Sequence, residues 1–153
     1  MFLAKLYAKK GSVNMMRILI DTNVVIDYLA DRQPFADPAG EILFLCESGQ
    51  ILGMVTANAI TDVYYVVRKE IDRDRALDAI QTLCSVFDIV DIGKTDILGA
   101  IELGLRDFED SLVAQCAKKS KADYIITRNL TDFVVSPVSA QDPQSFVKLI
   151  KAE

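Results

Sequence analysis

Short apolar runs alternate with amphipathic helical patterns along almost the whole chain, and this alternation restricts the possible folds more than any other feature. Four runs indicate buried strands and a weaker fifth run follows them: 17–20, 52–55, 87–90, 124–126 and 137–140. Strands that are apolar throughout and separated by helices are typical of a parallel sheet covered on both faces. The sequence therefore predicts an α/β fold, a three-layer αβα sandwich around a parallel sheet of four to five strands.

Capping residues indicate where several helices begin. Asp37 followed by Pro38 predicts an N-cap and a proline at the first helical position, opening a helix to about residue 47. Asp142 and Pro143 repeat this signal for the last helix, and Thr95 is expected to cap a helix that ends near residue 103. The other helices are expected at 24–29, 58–69, 72–83 and 107–119.

The length of 153 residues and the absence of a linker rich in Pro, Gly or Ser predict a single domain. Residues 1–14 mix lysines with apolar residues but lack the apolar core of a signal peptide, and Met15-Met16 directly precedes the first strand. We expect residues 1–14 to be an extension, either disordered or a misassigned start, and residues 15–153 to form one domain. No run approaches the ~18 apolar residues of a membrane span, so no membrane partner is expected.

The chain contains no histidine, which excludes Ser-His-Asp and Cys-His nucleophile pairs and histidine-bound zinc or haem. Cys46, Cys84 and Cys116 form no CxxC pair, so zinc and thioredoxin-type sites are also excluded. We expect three buried thiols in a reducing cytoplasm. Residues 1–17 hold four basic residues and no acid, which leaves the other 136 residues with a formal charge of −9. This negatively charged part of the chain repels a phosphate backbone unless cations or a basic patch intervene.

Acidic residues follow the strand ends, where parallel sheets bind ligands. Asp21 directly follows the first strand, and Asp62 lies in the second turn of the helix after the second strand. Asp107, Glu109 and Asp110 open the helix before the fourth strand, and Asn129 and Asp132 follow that strand. Because Asp107 and Asp110 are three residues apart, we expect them to share one helix face. Carboxylates without histidine or thiolate partners suit Mg²⁺, and a pair of such ions can activate water in phosphodiester hydrolysis.

Each of these acids also has a purely structural explanation. Asp21 could cap the next helix, Asp107 and Asp110 could stabilise a first helical turn, Asp62 could be solvated, and Asp132 could be a turn residue. A functional site is favoured because all of these acids are expected near the carboxyl ends of the strands, where parallel α/β sheets bind ligands.

Four segments together resemble a PIN domain, over a span from about residue 17 to the final helix. They are Ile18-Leu-Ile-Asp-Thr-Asn23, Thr56 with an acid six residues later, Asp107-Phe-Glu-Asp110, and Thr127-Arg-Asn-Leu-Thr-Asp-Phe133. The stretches 32–35 and 60–65 further resemble a bacterial, toxin-like branch of that family.

The resemblance implies a Mg²⁺ or Mn²⁺ site and metal-dependent endoribonuclease activity on RNA. Many relatives are toxins of toxin–antitoxin pairs and form homodimers, so a small antitoxin and a second copy are the expected partners. The expected catalytic residues are Asp21, Asp62, Asp110 and Asp132. The expected metal ligands are Asp21, Asp62, Asp110 and Asp107. The expected supporting residues are Thr22, Asn23, Thr127 and Asn129, and the expected phosphate contacts are Arg128 and Arg106.

Position 62 departs from the family pattern, because the wider family usually has Glu there and this chain has Asp62. Asp is one methylene shorter, so it would bind a metal through water or contribute less to the site. The alternative is a catalytically weakened PIN-like module that binds RNA or a partner protein.

Overall fold

The computed structural model describes residues 15–153, so the expectation for residues 1–14 lies outside the described residues. The strands are β1 (Arg17–Ile20), β2 (Leu52–Thr56), β3 (Asp88–Val90), β4 (Tyr124–Ile126) and β5 (Ala140–Gln141). The helices are α1 (Thr22–Leu29), α2 (Ala36–Glu47), α3 (Ala57–Glu70), α4 (Arg73–Val86), α5 (Lys94–Leu103), α6 (Phe108–Lys119) and α7 (Pro143–Lys151). A 3₁₀ helix spans Leu130–Phe133. No helix within residues 15–153 is long and apolar enough to cross a membrane.

The strands form one parallel sheet in the order β3-β2-β1-β4-β5, which confirms the predicted fold class. Successive residues of β1 serve two different cores. Ile18 and Ile20 pack with α1, α2, α3, α4 and α7, whereas Leu19 packs on the opposite face with α5 and α6. Because side chains alternate across a strand and both faces are covered, every position of β1 after Arg17 is apolar.

Two helix starts differ from the prediction. Asp37 does not cap α2, because the backbone N–H groups of Phe35 and Ala36 already donate to the Arg32 carbonyl and the helix begins before Asp37. Gly93, not Thr95, is the N-cap of α5, and its N–H donates to the Asp96 carboxylate over 2.9 Å. Asp72, Asp107 and Asp142 cap α4, α6 and α7, as side-chain acceptors at helix N-termini do.

The last strand and one cysteine also differ from expectation. Strand β5 begins only at Ala140, because the Ser136 hydroxyl donates to the Val138 carbonyl over 2.8 Å and folds this segment into a turn before the strand. Cys46 and Cys116 are buried as predicted, but Cys84 is exposed, because it lies on the outer side of α4.

The chain runs from β1 to β2 and β3 on one side of the sheet, and then crosses to β4 on the other side of β1. This reversal opens a crevice beyond the carboxyl ends of β1 and β4, the place where such sheets bind ligands. The Asp21 N–H donates to the Ile126 carbonyl over 2.9 Å, so the end of β1 is fixed against the end of β4.

We predict that Gly53→Ala destabilises the protein by about 1–3 kcal/mol, the usual cost of overpacking a core. A Cβ atom on Gly53 would lie 2.6 Å from the Cys46 Sγ and 2.7 Å from the Phe87 ring. Urea denaturation measures the effect. Gly93→Ala is the matched control, since the nearest atom to its new Cβ is 4.0 Å away. Equal stability of the two variants would contradict the close packing of β2 against α2.

Candidate active site

Asp21 is held by hydrogen bonds to both carboxylate oxygens at the end of β1. Its Oδ1 accepts the Thr22 N–H over 2.9 Å, and its Oδ2 accepts the Thr127 hydroxyl over 2.8 Å. Thr127 is fully buried after β4, and its Oγ1 also accepts the Asn129 N–H. Asp21 therefore caps α1 and is also oriented by β4, which reconciles the structural and the functional interpretation of this residue.

The start of α6 carries the second group of acids. Asp107 is the N-cap, and its Oδ1 accepts the Asp110 N–H over 3.1 Å. Glu109 and Asp110 occupy the first turn, where the helix dipole favours negative charge. Asp107 and Asp110 were expected to share a helix face. Asp107 lies at the helix end, and its charge adds to the effect of burial in raising the pKa of Asp110.

A cavity of about 270 Å³ lies between these two groups and α3. Two apolar residues, Ile26 and Val113, form part of its wall. Its polar lining consists of Asp21, Thr22, Asn23, Arg32, Asn58, Asp62, Glu109, Asp110 and Asn129. The structure thus brings together six of the residues expected from sequence: Asp21, Thr22, Asn23, Asp62, Asp110 and Asn129.

Several other expected residues do not line this cavity. Thr127 acts on it through its bond to Asp21. Asp132 lies in the 3₁₀ helix and is close enough for its charge to raise the pKa of Asp110. Asp107 caps α6, and Arg106 is exposed beside it.

Arg128 is paired with a buried acid that the sequence did not single out. Its Nε lies 2.6 Å from Oδ2 of Asp27 and its Nη2 lies 3.2 Å from Oδ1. Asp27 is only 1% exposed. The guanidinium also lies 4.3 Å from the centre of the Phe35 ring. The expected contact of Arg128 with phosphate stays a prediction, and its observed partners are Asp27 and Phe35.

Sequence reasoning missed Asn58 and Arg32 as cavity residues. Asn58 precedes Asp62 by four residues, so the two share one face of α3, and this spacing was a usable signal. Arg32 lies in the turn after α1, and no sequence pattern indicated that it would reach the cavity. Glu109, expected only as an acid at a helix start, also lines the cavity.

Burial and neighbouring negative charges raise the pKa values of Asp21, Glu109 and Asp110. Burial raises the pKa of Asp21, opposed by its bonds to Thr127 and Thr22 and by the Arg128 charge. Burial and then the charges of Asp107, Asp21, Asp132 and Glu109 raise the pKa of Asp110 to about 6. The pKa of Glu109 is raised by burial and by the charges of Asp62, Asp107 and Asp21. Such a cluster is costly to ionise unless a cation neutralises it.

Two buried amide oxygens in the cavity lining also favour a cation site. Oδ1 of Asn23 and Oδ1 of Asn58 have no hydrogen-bond partner within the described part of the chain. A buried acceptor without a donor is costly, and carboxylate and amide oxygens are ligands that hard cations prefer. Among residues 15–153, however, no three acidic or cysteine side chains stand together as a ready-made metal group. The donor chemistry fits Mg²⁺ or Mn²⁺, while the carboxylates share a cavity rather than a preformed ligand sphere.

A parallel αβα fold with this acidic cavity agrees with the resemblance found in the sequence. A family model described as a PIN domain matches residues 17–131, and the chain belongs to the PIN domain family. A relative among characterised proteins is Ribonuclease VapC1 of Aquifex aeolicus (strain VF5), with 27% identity over 122 residues. That match covers 76% of this chain and 84% of the relative.

Solved structures share the fold at low sequence identity. The crystal structure of VapBC2 from Rickettsia felis, bound to a promoter DNA fragment, matches with a TM-score of 0.65 and 17% identity, over 83% of this chain and 98% of that one. A toxin-antitoxin complex from Klebsiella pneumoniae matches with a TM-score of 0.64 and 22% identity, over 82% and 97%. VapC20 of Mycobacterium tuberculosis, described as a sarcin-ricin loop cleaving toxin, matches with a TM-score of 0.58 and 15% identity, over 71% and 86%.

We predict that Asp110→Asn stabilises the chelator-treated protein above pH 6 but not below about pH 4. An unfolded Asp110 loses its proton near its ordinary pKa of 3.8, whereas the folded residue holds it until about pH 6. The folded state therefore binds more protons between these values, and its stability falls as pH rises. Because Asp110 is only partly buried, solvent screening limits the gain to ~1 kcal/mol, a rise in Tm of about 2–4 °C.

Thermal denaturation from pH 4 to pH 8 measures this dependence. Asp78→Asn, on the exposed side of α4, removes the same charge outside the cavity and is the control. A constant difference between Asp110→Asn and wild type across this range would contradict the assigned repulsion.

Proposed function

We propose that this protein is an endoribonuclease that uses Mg²⁺ or Mn²⁺ to hydrolyse RNA phosphodiester bonds in the acidic cavity. The observation that carries the proposal is the convergence of Asp21, Asp62, Glu109 and Asp110 on one cavity at the β1/β4 crevice. The relative named a ribonuclease, in the same family, supports the choice of reaction and substrate.

Asp21, Asp62 and Asp110 would hold the metal, which when bound supplies a polarised water and stabilises charge on the leaving oxygen. The Thr127 hydroxyl and the Thr22 N–H fix the orientation of the Asp21 carboxylate, so this residue is preorganised. Asp107 holds the first turn of α6, which sets the position of Asp110. Asn58 and Asp62 present their side chains from neighbouring turns of α3.

An antitoxin is the protein partner we propose, with this chain as the toxin of the pair. Support comes from the toxin-antitoxin complex of Klebsiella pneumoniae, which contains a chain of the same fold. A basic antitoxin side chain entering the acidic cavity would compete with the metal for the same carboxylates.

A homodimer is the second assembly we propose, and the outer face of α5 supports it. Ile97, Leu98 and Ile101 are 41–61% exposed along this helix. Apolar side chains clustered on one exposed helix face are typical of a protein interface.

We predict a dimeric mass for wild type by light scattering and a monomeric mass for Ile101→Glu. Gln81→Glu adds the same single negative charge on the exposed side of α4, which covers the opposite face of the sheet, and is the control. A wild-type monomer at all concentrations would refute the dimer.

The alternative function, a module that binds RNA without cutting it, is favoured by two observations. Asp62 stands where the family usually has the longer Glu, and the acids form no ready-made metal group within residues 15–153. Titration with Mn²⁺ together with an RNA cleavage assay separates the two functions. Metal binding without cleavage by the purified protein would favour the alternative.

We predict that Asp21→Asn and Asp110→Asn each lower metal-dependent RNA cleavage by at least about 100-fold, because each removes a charged metal ligand. Asp62→Asn is expected to have a smaller effect. The Asp62 side chain is one methylene shorter than the usual Glu, so it would bind the metal less directly. Cleavage of a structured RNA with Mn²⁺ and calorimetric Mn²⁺ titration measure both properties. Asp78→Asn is the matched control and keeps full activity. Equal cleavage by wild type and the Asp21 and Asp110 variants would refute the site.

A further inference from the structure

Two arginines near the acidic cavity have acidic partners that differ in burial. Asp27, the partner of Arg128, is 1% exposed and binds it through two hydrogen bonds. Removing the partner from such a pair leaves a buried charge uncompensated, which is strongly unfavourable. Arg128 is also covered by the Phe35 ring. The Arg128 side chain is 30% exposed, but its guanidinium is held by a buried carboxylate and is therefore costly to release to another partner.

Arg32 has a weaker and more accessible partner. Its Nη2 lies 2.9 Å from Oε1 of Glu70, and the two side chains are 43% and 42% exposed. Exposed ion pairs contribute little to stability and exchange readily for other partners. Within residues 15–153, Glu70 is the one hydrogen-bond partner of the Arg32 side chain. The Arg32 guanidinium is therefore available to another anion.

The backbone of Arg32 is nevertheless fixed. Its N–H donates to the Asp27 carbonyl over 2.9 Å, and its carbonyl accepts the N–H groups of Phe35 and Ala36. Asp27 thus binds Arg128 with its carboxylate and positions Arg32 with its carbonyl. The turn after α1 holds the base of the Arg32 side chain in place and leaves its charged end exchangeable.

Arg32 is also the one basic residue in the cavity lining, as far as the described residues show. The cavity otherwise presents Asp21, Asp62, Glu109 and Asp110, which repel an approaching phosphate. A guanidinium offers several N–H donors in a planar arrangement that matches phosphate oxygens. The lining therefore places one phosphate-binding group beside the proposed metal ligands.

We propose that Arg32 binds a backbone phosphate of the RNA substrate by exchanging Glu70 for it, while Arg128 is a positioning residue for the segment after β4. This inference rests on the proposed ribonuclease function and names the residue that anchors its substrate. Glu70 holds the side chain between substrate encounters and competes with the phosphate for it.

The test compares variants of the full chain for binding to a fluorescein-labelled single-stranded RNA, by anisotropy with Ca²⁺ present. Arg32→Gln is expected to weaken binding about tenfold for every RNA sequence, as loss of a phosphate contact does. The slope of log affinity against log salt concentration is expected to fall by about 0.7. Arg32→Lys keeps the charge but loses the planar donors, so its affinity for RNA is expected to lie between those of wild type and Arg32→Gln.

Three further variants separate this role from a general effect of charge. Arg75→Gln, on exposed α4, removes the same charge outside the cavity and is expected to keep wild-type affinity and slope. Glu70→Gln removes the competitor and is expected to bind RNA at least as tightly as wild type. Arg128→Lys is expected to lower Tm without changing the salt slope, because its partner is buried.

The possible failures are distinguishable. If wild type binds RNA and Arg32→Gln binds it with the same affinity and the same salt slope, the assignment of Arg32 is overturned and the proposed function stands. Equal losses in Arg32→Gln and Arg75→Gln would overturn it as well, as would weaker binding by Glu70→Gln. Absence of RNA binding by wild type would overturn the proposed function and this inference together.

Discussion

The parallel pairing of β1 with β4 is the constraint on which the cavity depends. It places Asp21, the first residue after β1, beside Thr127, the first residue after β4, and the two side chains share a 2.8 Å hydrogen bond. The reversal of strand order at this pair leaves the crevice open, because the connecting helices run to opposite sides. Without that register, the acidic side chains of α3 and α6 would not meet Asp21 in one cavity.

The cavity concentrates negative charge at a cost to the folded protein. The raised pKa values of Asp21, Glu109 and Asp110 record that cost. The fold reduces it locally, through the Thr127 and Thr22 donors on Asp21 and through the positive end of α6 beneath Asp110. A bound cation would remove the remaining repulsion, so the same feature that destabilises the protein alone would favour its ligand.

The burial of Asp27 separates the roles of two arginines that the sequence cannot distinguish. Arg128 follows directly on Thr127 and was the expected phosphate contact, whereas the stretch 32–35 contributed to the family resemblance without assigning Arg32 a role. A residue's availability depends on the exposure of its partner, and partner and exposure come from packing between α1, α3 and β4. A motif therefore identified the right region here while leaving open which cation faces the cavity.

The sequence by itself determined the fold class and most of the acidic lining. Apolar strands between helices require a parallel sheet, and residues at strand ends must meet at one edge, so Asp21, Asp62 and Asp110 were predictable. Only the tertiary structure decided how each side chain is used. The capping role of Asp107, the amide of Asn58 in the lining and the exchangeable pair of Arg32 all depend on contacts between segments distant along the chain. Local patterns carry no information about such distances, because they record periodicity and propensity but not which helix lies opposite.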